Sequence, residues 1–220
     1  MAQGTLYWSD RYVRPIIPRA LIEHFQLNFK VVDIFENEGK FSNEFPLLRS
    51  PSLITPDGTQ ITEAMAVNYY LIKQLHDPQL EKQLLGSFDD VETYAQMLRW
   101  QSLANTDFHD QMANYVKPYV GMVPFDDIAV QKAWKNLETM FDVYENILKK
   151  QHYLINDTHI TLADLMTFAP LTFGMRNVLG DEWRAHHPNI TRWFIDILQS
   201  PIVKNSFKDF QFAAKEPARP

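Results

Sequence analysis

The chain has 220 residues, enough for one large domain or two small ones, and a chain of this size buries roughly 70% of its unfolded surface without disulfide or metal staples. Its 21 basic and 27 acidic side chains give a formal net charge of −6 with no dense Lys/Arg cluster, which argues against direct nucleic-acid binding. There is no cysteine, so disulfides, thiolate nucleophiles and Cys-based metal sites are excluded; no apolar run approaches the ~20 residues of a membrane span and the start MAQGTLYW lacks a signal-peptide shape, so the expectation is a soluble, cytoplasmic protein.

In chain order, TLYW (5–8) reads as a first strand, and a helix follows from about Pro15 with Ile16, Ile17, Ala20, Leu21 and Phe25 on one side. FKVVDIF (29–35) is a nearly unbroken apolar run, as expected of a buried parallel strand. Residues 36–50 are polar and irregular and predict a loop with a short helix. SLIT (52–55), the turn PDG (56–58) and TQIT (59–62) make a hairpin. A helix then runs from about Glu63 to Leu75, with Val67, Tyr70, Leu71 and Leu75 inward. This order implies a small mixed sheet with flanking helices.

His76-Asp77-Pro78 ends that helix, because proline biases its predecessor away from helix, and 77–87 reads as a linker. Everything beyond reads as helix. Asp89 and Asp90 open a long one whose inward face is Val91, Tyr94, Ala95 and Leu98. Residues 127–150 repeat apolar positions at Val130, Ala133, Trp134, Leu137, Phe141, Tyr144 and Leu148 with helical period. Ile190, Trp193, Phe194, Ile197 and Leu198 follow the same rule until Ser200-Pro201 stops the helix. AAKEPARP has little to bury and predicts a mobile tail over 213–220.

Two segments carry more than periodicity. In ITLADL (160–165), Thr161 and Asp164 have capping-box spacing, with Ile160 and Leu165 at the positions of a hydrophobic staple. Pro170 lies inside the helix so begun and predicts a kink. In 45–71, a Ser50-Pro51 step, suited to a cis bond, leads through two strands to Glu63 at a helix N-terminus. The loop before Pro51 offers backbone groups to an extended ligand, and the helix start offers N–H donors and a positive dipole end. Together they make a cleft for a small peptide-like anion, with Glu63 placed to accept from a ligand ammonium group; a good helix start predicts the same acid. Adjacent His186 and His187 point apart, and Asp89-Asp90 and Asp126-Asp127 are helix-start acids, so no metal site is expected.

The Pro-strand-strand-acid segment, with TLADL about 100 residues later, resembles the glutathione transferases. The resemblance implies an α/β plus all-α fold: a thioredoxin-like domain over 1–76, a linker over 77–87, an all-helical domain over 88–212 and the tail. It also implies that Arg49, Ser50, Pro51, Glu63 and Ala64 form the glutathione pocket. The family carries an acidic-Ser pair where this chain has Glu63-Ala64, so one ligand hydrogen bond, worth ~1 kcal/mol, is missing. Transferases activate the thiol with a Tyr on strand 1 or a Ser at the start of helix 1. Tyr7, Ser9, Tyr12 and Arg14 lie in the matching region TLYWSDRYVRP (5–15), and none fits the motif cleanly. For Tyr7 a core strand residue competes with thiol contact, for Ser9 and Tyr12 a loop role, and for Arg14 and Arg49 a solvated surface cation.

GTLYW (4–8), TEAMAVNYYL (62–71), RWQSLAN (99–105) and EWRAHHPNITRWF (182–194) further resemble the gamma subunits of eukaryotic elongation factor 1, the fungal form in particular. That resemblance implies a scaffold domain with no catalytic residues and no required cofactor. It would hold the nucleotide-exchange (alpha) subunit of elongation factor 1B and pair with a second copy through its third and fourth helices. Glutathione is the small molecule its pocket would take. In that family a Lys-rich linker and a further domain follow, which makes this chain a fragment or a short relative. An active glutathione transferase is the alternative, and a free-standing redox or stress protein that binds glutathione without turnover is a third reading.

Overall fold

The computed structural model describes residues 3–218. Met1, Ala2, Arg219 and Pro220 lie outside the described residues, so the outer ends of the expected first domain and of the tail do too. A four-stranded sheet in the order β2-β1-β3-β4 organises the first part. Its strands are β1 (Gly4–Trp8), β2 (Phe29–Asp33), β3 (Ser52–Ile54) and β4 (Gln60–Thr62), flanked by α1 (Ile16–His24), α2 (Glu38–Glu44) and α3 (Ala64–Lys73). β1 runs parallel to β2 and antiparallel to β3, with Leu6 opposite both Val31 and Leu53. The pleat sends successive side chains to opposite faces. Leu6 and Leu53 therefore pack with Ile22 of α1 and with Val67 and Leu71 of α3, while Tyr7 packs on the other face with Phe41 and Phe45.

The run 29–35 is a parallel strand, but not a buried one. β2 is the sheet edge, and Lys30 and Val31 face solvent. An apolar run does not say how many neighbours a strand will have.

The stretch 77–87 carries a helix, α4 (Pro78–Leu85), whose N-cap Asp77 accepts from the N–H groups of Gln79 and Leu80 at 3.0 Å each. The helices that follow are α5 (Val91–Leu103), a π-helical turn (Ala104–Phe108), α6 (His109–Tyr119), α7 (Asp127–Leu148), α8 (Leu162–Asn177), α9 (Asp181–His186) and α10 (Pro188–Leu198). None among the described residues is long and apolar enough to cross a membrane. α7 and α10 bury the stripes their sequences predict, except that Trp134 and Leu198 are half-buried. α5 does not: Val91, Ala95 and Leu98 are exposed, and Met97, Trp100 and Gln101 are buried. Both stripes satisfy a 3.6-residue period, and the face turned inward is the one carrying the large indole of Trp100.

α8 is the axis of the helical part. Every residue from Leu162 to Thr172 is buried, with α5, α6 and α10 packed around it and α1 against one side. The helix runs unbroken through Pro170. Its start is fixed by a closed capping box. Oδ2 of Asp164 accepts from the Thr161 N–H at 2.9 Å and the Thr161 hydroxyl at 2.6 Å, and Oδ1 accepts from the Leu154 N–H at 2.8 Å and the Trp193 indole N–H at 2.9 Å. Burial pushes the Asp164 carboxyl up, and the four donors oppose that push.

The expected tail is tied down at its root. The Ala213 N–H donates to the Met175 carbonyl at 2.8 Å, and the Ala214 carbonyl accepts from the Asp181 N–H at 3.1 Å. The backbone of 215–216 then crosses Gly180, where any Cβ would sit 2.8 Å from a Lys215 backbone atom. Backbone pairing of this kind leaves no trace in side-chain hydropathy.

Asp164→Ala leaves three buried N–H donors without an acceptor and should destabilise the fold by at least about 3 kcal/mol. Thr161→Ala should cost about 1 kcal/mol. Urea unfolding followed by far-UV circular dichroism checks the ranking, and coincident midpoints for the two variants would contradict it.

Candidate functional site

The end of the hairpin places the first elements of the site. The Ser50-Pro51 peptide bond is cis. Just beside it, the Ser52 hydroxyl donates to the Arg49 carbonyl at 2.6 Å and the Ser50 hydroxyl to the Tyr7 carbonyl at 3.3 Å, so the loop is anchored to β1. The last pair of the β3–β4 ladder is Ser52 with Thr62, so Pro51 and Glu63 leave the hairpin side by side. Glu63 is the N-cap of α3 with φ 69° and ψ 129°, and its side chain makes no cap hydrogen bond. A left-handed φ at a non-glycine residue costs of order 1 kcal/mol and clusters at functional sites. Capping does not account for this acid, and its carboxylate stays exposed at the hairpin end.

Next to that junction, a cleft of about 460 Å3 separates the segment between β1 and α1 from α6 and α8. Asp10, Arg11, Tyr12 and Arg14 line one wall with Arg49 and Ser50; His109 and Lys117 of α6 and Phe173 and Arg176 of α8 line the other. Five cationic side chains thus face one carboxylate, that of Asp10, in a chain whose net charge is negative. Arg14 bridges the walls. Its guanidinium donates to the Asn105 carbonyl in the π-helical turn at 3.2 and 2.7 Å and to Asp110 at 3.3 Å. Arg11 lies over the Phe35 ring at 4.3 Å. His109 is held below the ordinary histidine range, by burial first and the Arg14 charge second, so it is neutral near pH 7.

The cleft therefore gathers Tyr12, Arg14, Arg49 and Ser50 from the residues expected for the site. Pro51 is buried at the junction and Glu63 stands at its rim. Ala64 is buried and faces a small hollow between α1 and α8. Tyr7 and Ser9 are turned elsewhere. The Tyr7 ring lies 5.6 Å from those of both Phe41 and Phe45, and its hydroxyl donates to the Glu44 carboxylate. Burial and then Glu44 push that phenol far above its usual range, which is the opposite of what a thiol-activating acid needs. Ser9 is buried and its hydroxyl oxygen accepts from the Arg11 N–H at 3.3 Å, closing a turn.

Arg11, His109, Lys117 and Arg176 are cleft residues that sequence reading missed. The one available signal was the spacing of His109, Ala113 and Lys117, which puts them on one stripe of α6. Among the described residues, no three His, Asp or Glu side chains gather as a metal site. The ring nitrogens of His186 and His187 each pair with a helix carbonyl, at 2.9 Å, and not with each other. Chemically, the cleft has a mainly basic charged lining that favours anions over cations, with backbone groups at its Pro51 end.

Two family models match the chain, "Glutathione S-transferase, N-terminal domain" over residues 2–73 and "Glutathione S-transferase, C-terminal domain" over residues 108–201. Elongation factor 1-gamma 1 of Saccharomyces cerevisiae is 42% identical over 98% of this chain, which spans 51% of that protein's length. A putative elongation factor 1 gamma homolog of the same yeast is 36% identical, with 98% of each chain covered. The crystal structure of the GST-like domain of yeast elongation factor 1-gamma superposes with a TM-score of 0.91 at 41% identity, over the whole of both chains. Fold, length of match and identity agree: this chain belongs to the elongation factor 1-gamma family, as its glutathione-transferase-like domain.

Proposed function

We propose that this domain is a non-catalytic scaffold of the translation elongation factor 1B complex, working in the cytoplasm and holding the nucleotide-exchange (alpha) subunit, with a glutathione-type pocket retained from the transferase fold. The observation that carries the reading is the 41% identity to the GST-like domain of yeast elongation factor 1-gamma, sustained over the full length of both chains. The absence of turnover is supported by Tyr7, whose hydroxyl is committed to Glu44 on the far face of the sheet from α1 and α3. Ala64, where transferases carry a serine, supports weakened ligand binding. Phe88, Val91 and Leu98, exposed on and just before α5, fit burial against a second copy. The retained pocket is supported by Glu63, whose left-handed backbone and uncapped carboxylate are not needed for helix initiation.

An active glutathione transferase is the second reading, favoured by the presence of Tyr12, Arg49 and Ser50 around the cleft. A spectrophotometric assay with glutathione and an aryl halide decides between them. The expected rate is indistinguishable from the uncatalysed one, and robust turnover overturns the scaffold reading.

Two further outcomes are expected. Mixed with the exchange subunit at micromolar concentration, the domain should co-elute with it in size-exclusion chromatography; separate elution contradicts the scaffold role. Glu63→Ala should abolish glutathione binding in calorimetric titration, and unchanged binding by the variant removes the pocket assignment.

A further inference from the structure

Where α1 and α3 of the sheet half meet α8 and the π-helical turn of the helical half, packing leaves a hollow of about 10 Å3 for the centre of a water molecule. That is about the space one water needs, and nothing larger fits. Most of the lining is apolar, as at Ile17 and Ala64, but two amides open onto it, Asn68 of α3 and Asn105 of the π-helical turn. Asn68 is 1% exposed, and neither its Nδ2 nor its Oδ1 meets a partner within the protein. The Oδ1 of Asn105 is likewise buried and unpaired. A third acceptor comes from α8. Met166 and Pro170 lie one turn apart on that helix, and both line the hollow. Proline has no N–H to give to the carbonyl four residues back, so the Met166 carbonyl lacks its helical donor. Leaving such groups unpaired is expensive, and native interiors almost always satisfy them. One donor and several acceptors around a space of this size match the hydrogen-bonding capacity of water. A metal cation would suit the oxygens but not Nδ2, and Arg14 borders the same hollow with a positive charge of its own.

We infer that this hollow is a binding site for one ordered water, and that the water joins the two halves of the molecule. It accepts from Asn68 Nδ2 on the sheet side and donates to Asn105 Oδ1 and the Met166 carbonyl on the helical side. The inference rests on neither the scaffold reading nor the pocket reading. Asn68 and Asn105 are positioning residues: through the shared water they tie α3 to the π-helical turn and to α8 at a point where the seam is otherwise apolar. Exchange of this water with bulk solvent requires the seam to open locally, so its residence is long compared with that of surface water.

The first test is a high-resolution crystal structure of the wild-type chain. A single solvent peak within hydrogen-bond distance of both Asn68 and Asn105 is the expected result. An empty hollow, a peak at metal-ligand distances, or an Asn68 amide turned onto a protein group overturns the inference. The second test uses Asn68→Leu, a change of similar volume that removes the amide. Oxygen-17 relaxation dispersion should count one fewer long-lived internal water in N68L than in the wild type, and equal counts overturn the bridge. Urea unfolding gives opposite signs for a wet and a dry hollow. With a bridging water, N68L strands the acceptors of Asn105 and Met166 and the midpoint falls. With a dry hollow, N68L removes an unpaired buried amide and the midpoint rises, which overturns the inference. Should N68L fail to fold, the wild-type crystal structure decides by itself. None of these outcomes bears on the exchange-subunit or glutathione experiments, so the water site and the proposed function stand or fall separately.

Discussion

One buried carboxylate organises the helical half of this molecule. Asp164 sits at zero exposure with a donor on each of its four lone-pair directions. Those donors come from three places: the residue that starts α8, the loop that follows α7, and the middle of α10. A charge without partners at that depth would be prohibitive. With four partners it becomes a positional constraint, because moving Leu154 or Trp193 away from the start of α8 leaves a buried donor unpaired. α8 in turn forms part of the cleft wall, through Phe173 and Arg176. The geometry of the outer surface is therefore referred back to a hydrogen-bond cluster in the interior.

The sheet half works differently. Its core is ordinary apolar packing of Leu6 and Leu53 under α1 and α3, and its special features sit at one end of the hairpin. There the cis bond at Pro51 and the left-handed Glu63 emerge together. Opposite them, cations from both halves converge around a cleft in an otherwise acidic chain. The transferase fold is kept here, and Tyr7 is not among the residues that line the cleft. The tyrosine on β1 points to α2, where Phe41, Phe45 and Glu44 occupy it fully.

Local signals were the legible ones. Thr161 and Asp164 announce a capping box because both partners lie within one turn, and Ser50-Pro51 announces a strand entry because proline restricts its own neighbourhood. What failed was information about neighbours. The stripe at Val91, Ala95 and Leu98 is as periodic as the one buried at Met97 and Trp100, and only the tertiary partner tells them apart. Lys30 and Val31 are exposed on the edge strand, a placement in the sheet that the run FKVVDIF cannot state. Tyr7 alternates correctly along β1, but nothing local says which face receives α2. Lys117 and Arg176 come near Ser50 only after the two halves dock, so their place in the cleft had no counterpart in spacing.

Arg14 adds a mechanical consequence. Its guanidinium is a strut between the loop that precedes α1 and the π-helical turn ahead of α6, held by three hydrogen bonds. Neither the loop before α1 nor the turn before α6 can shift without breaking those bonds or carrying the other along, so the two walls of the cleft are mechanically coupled.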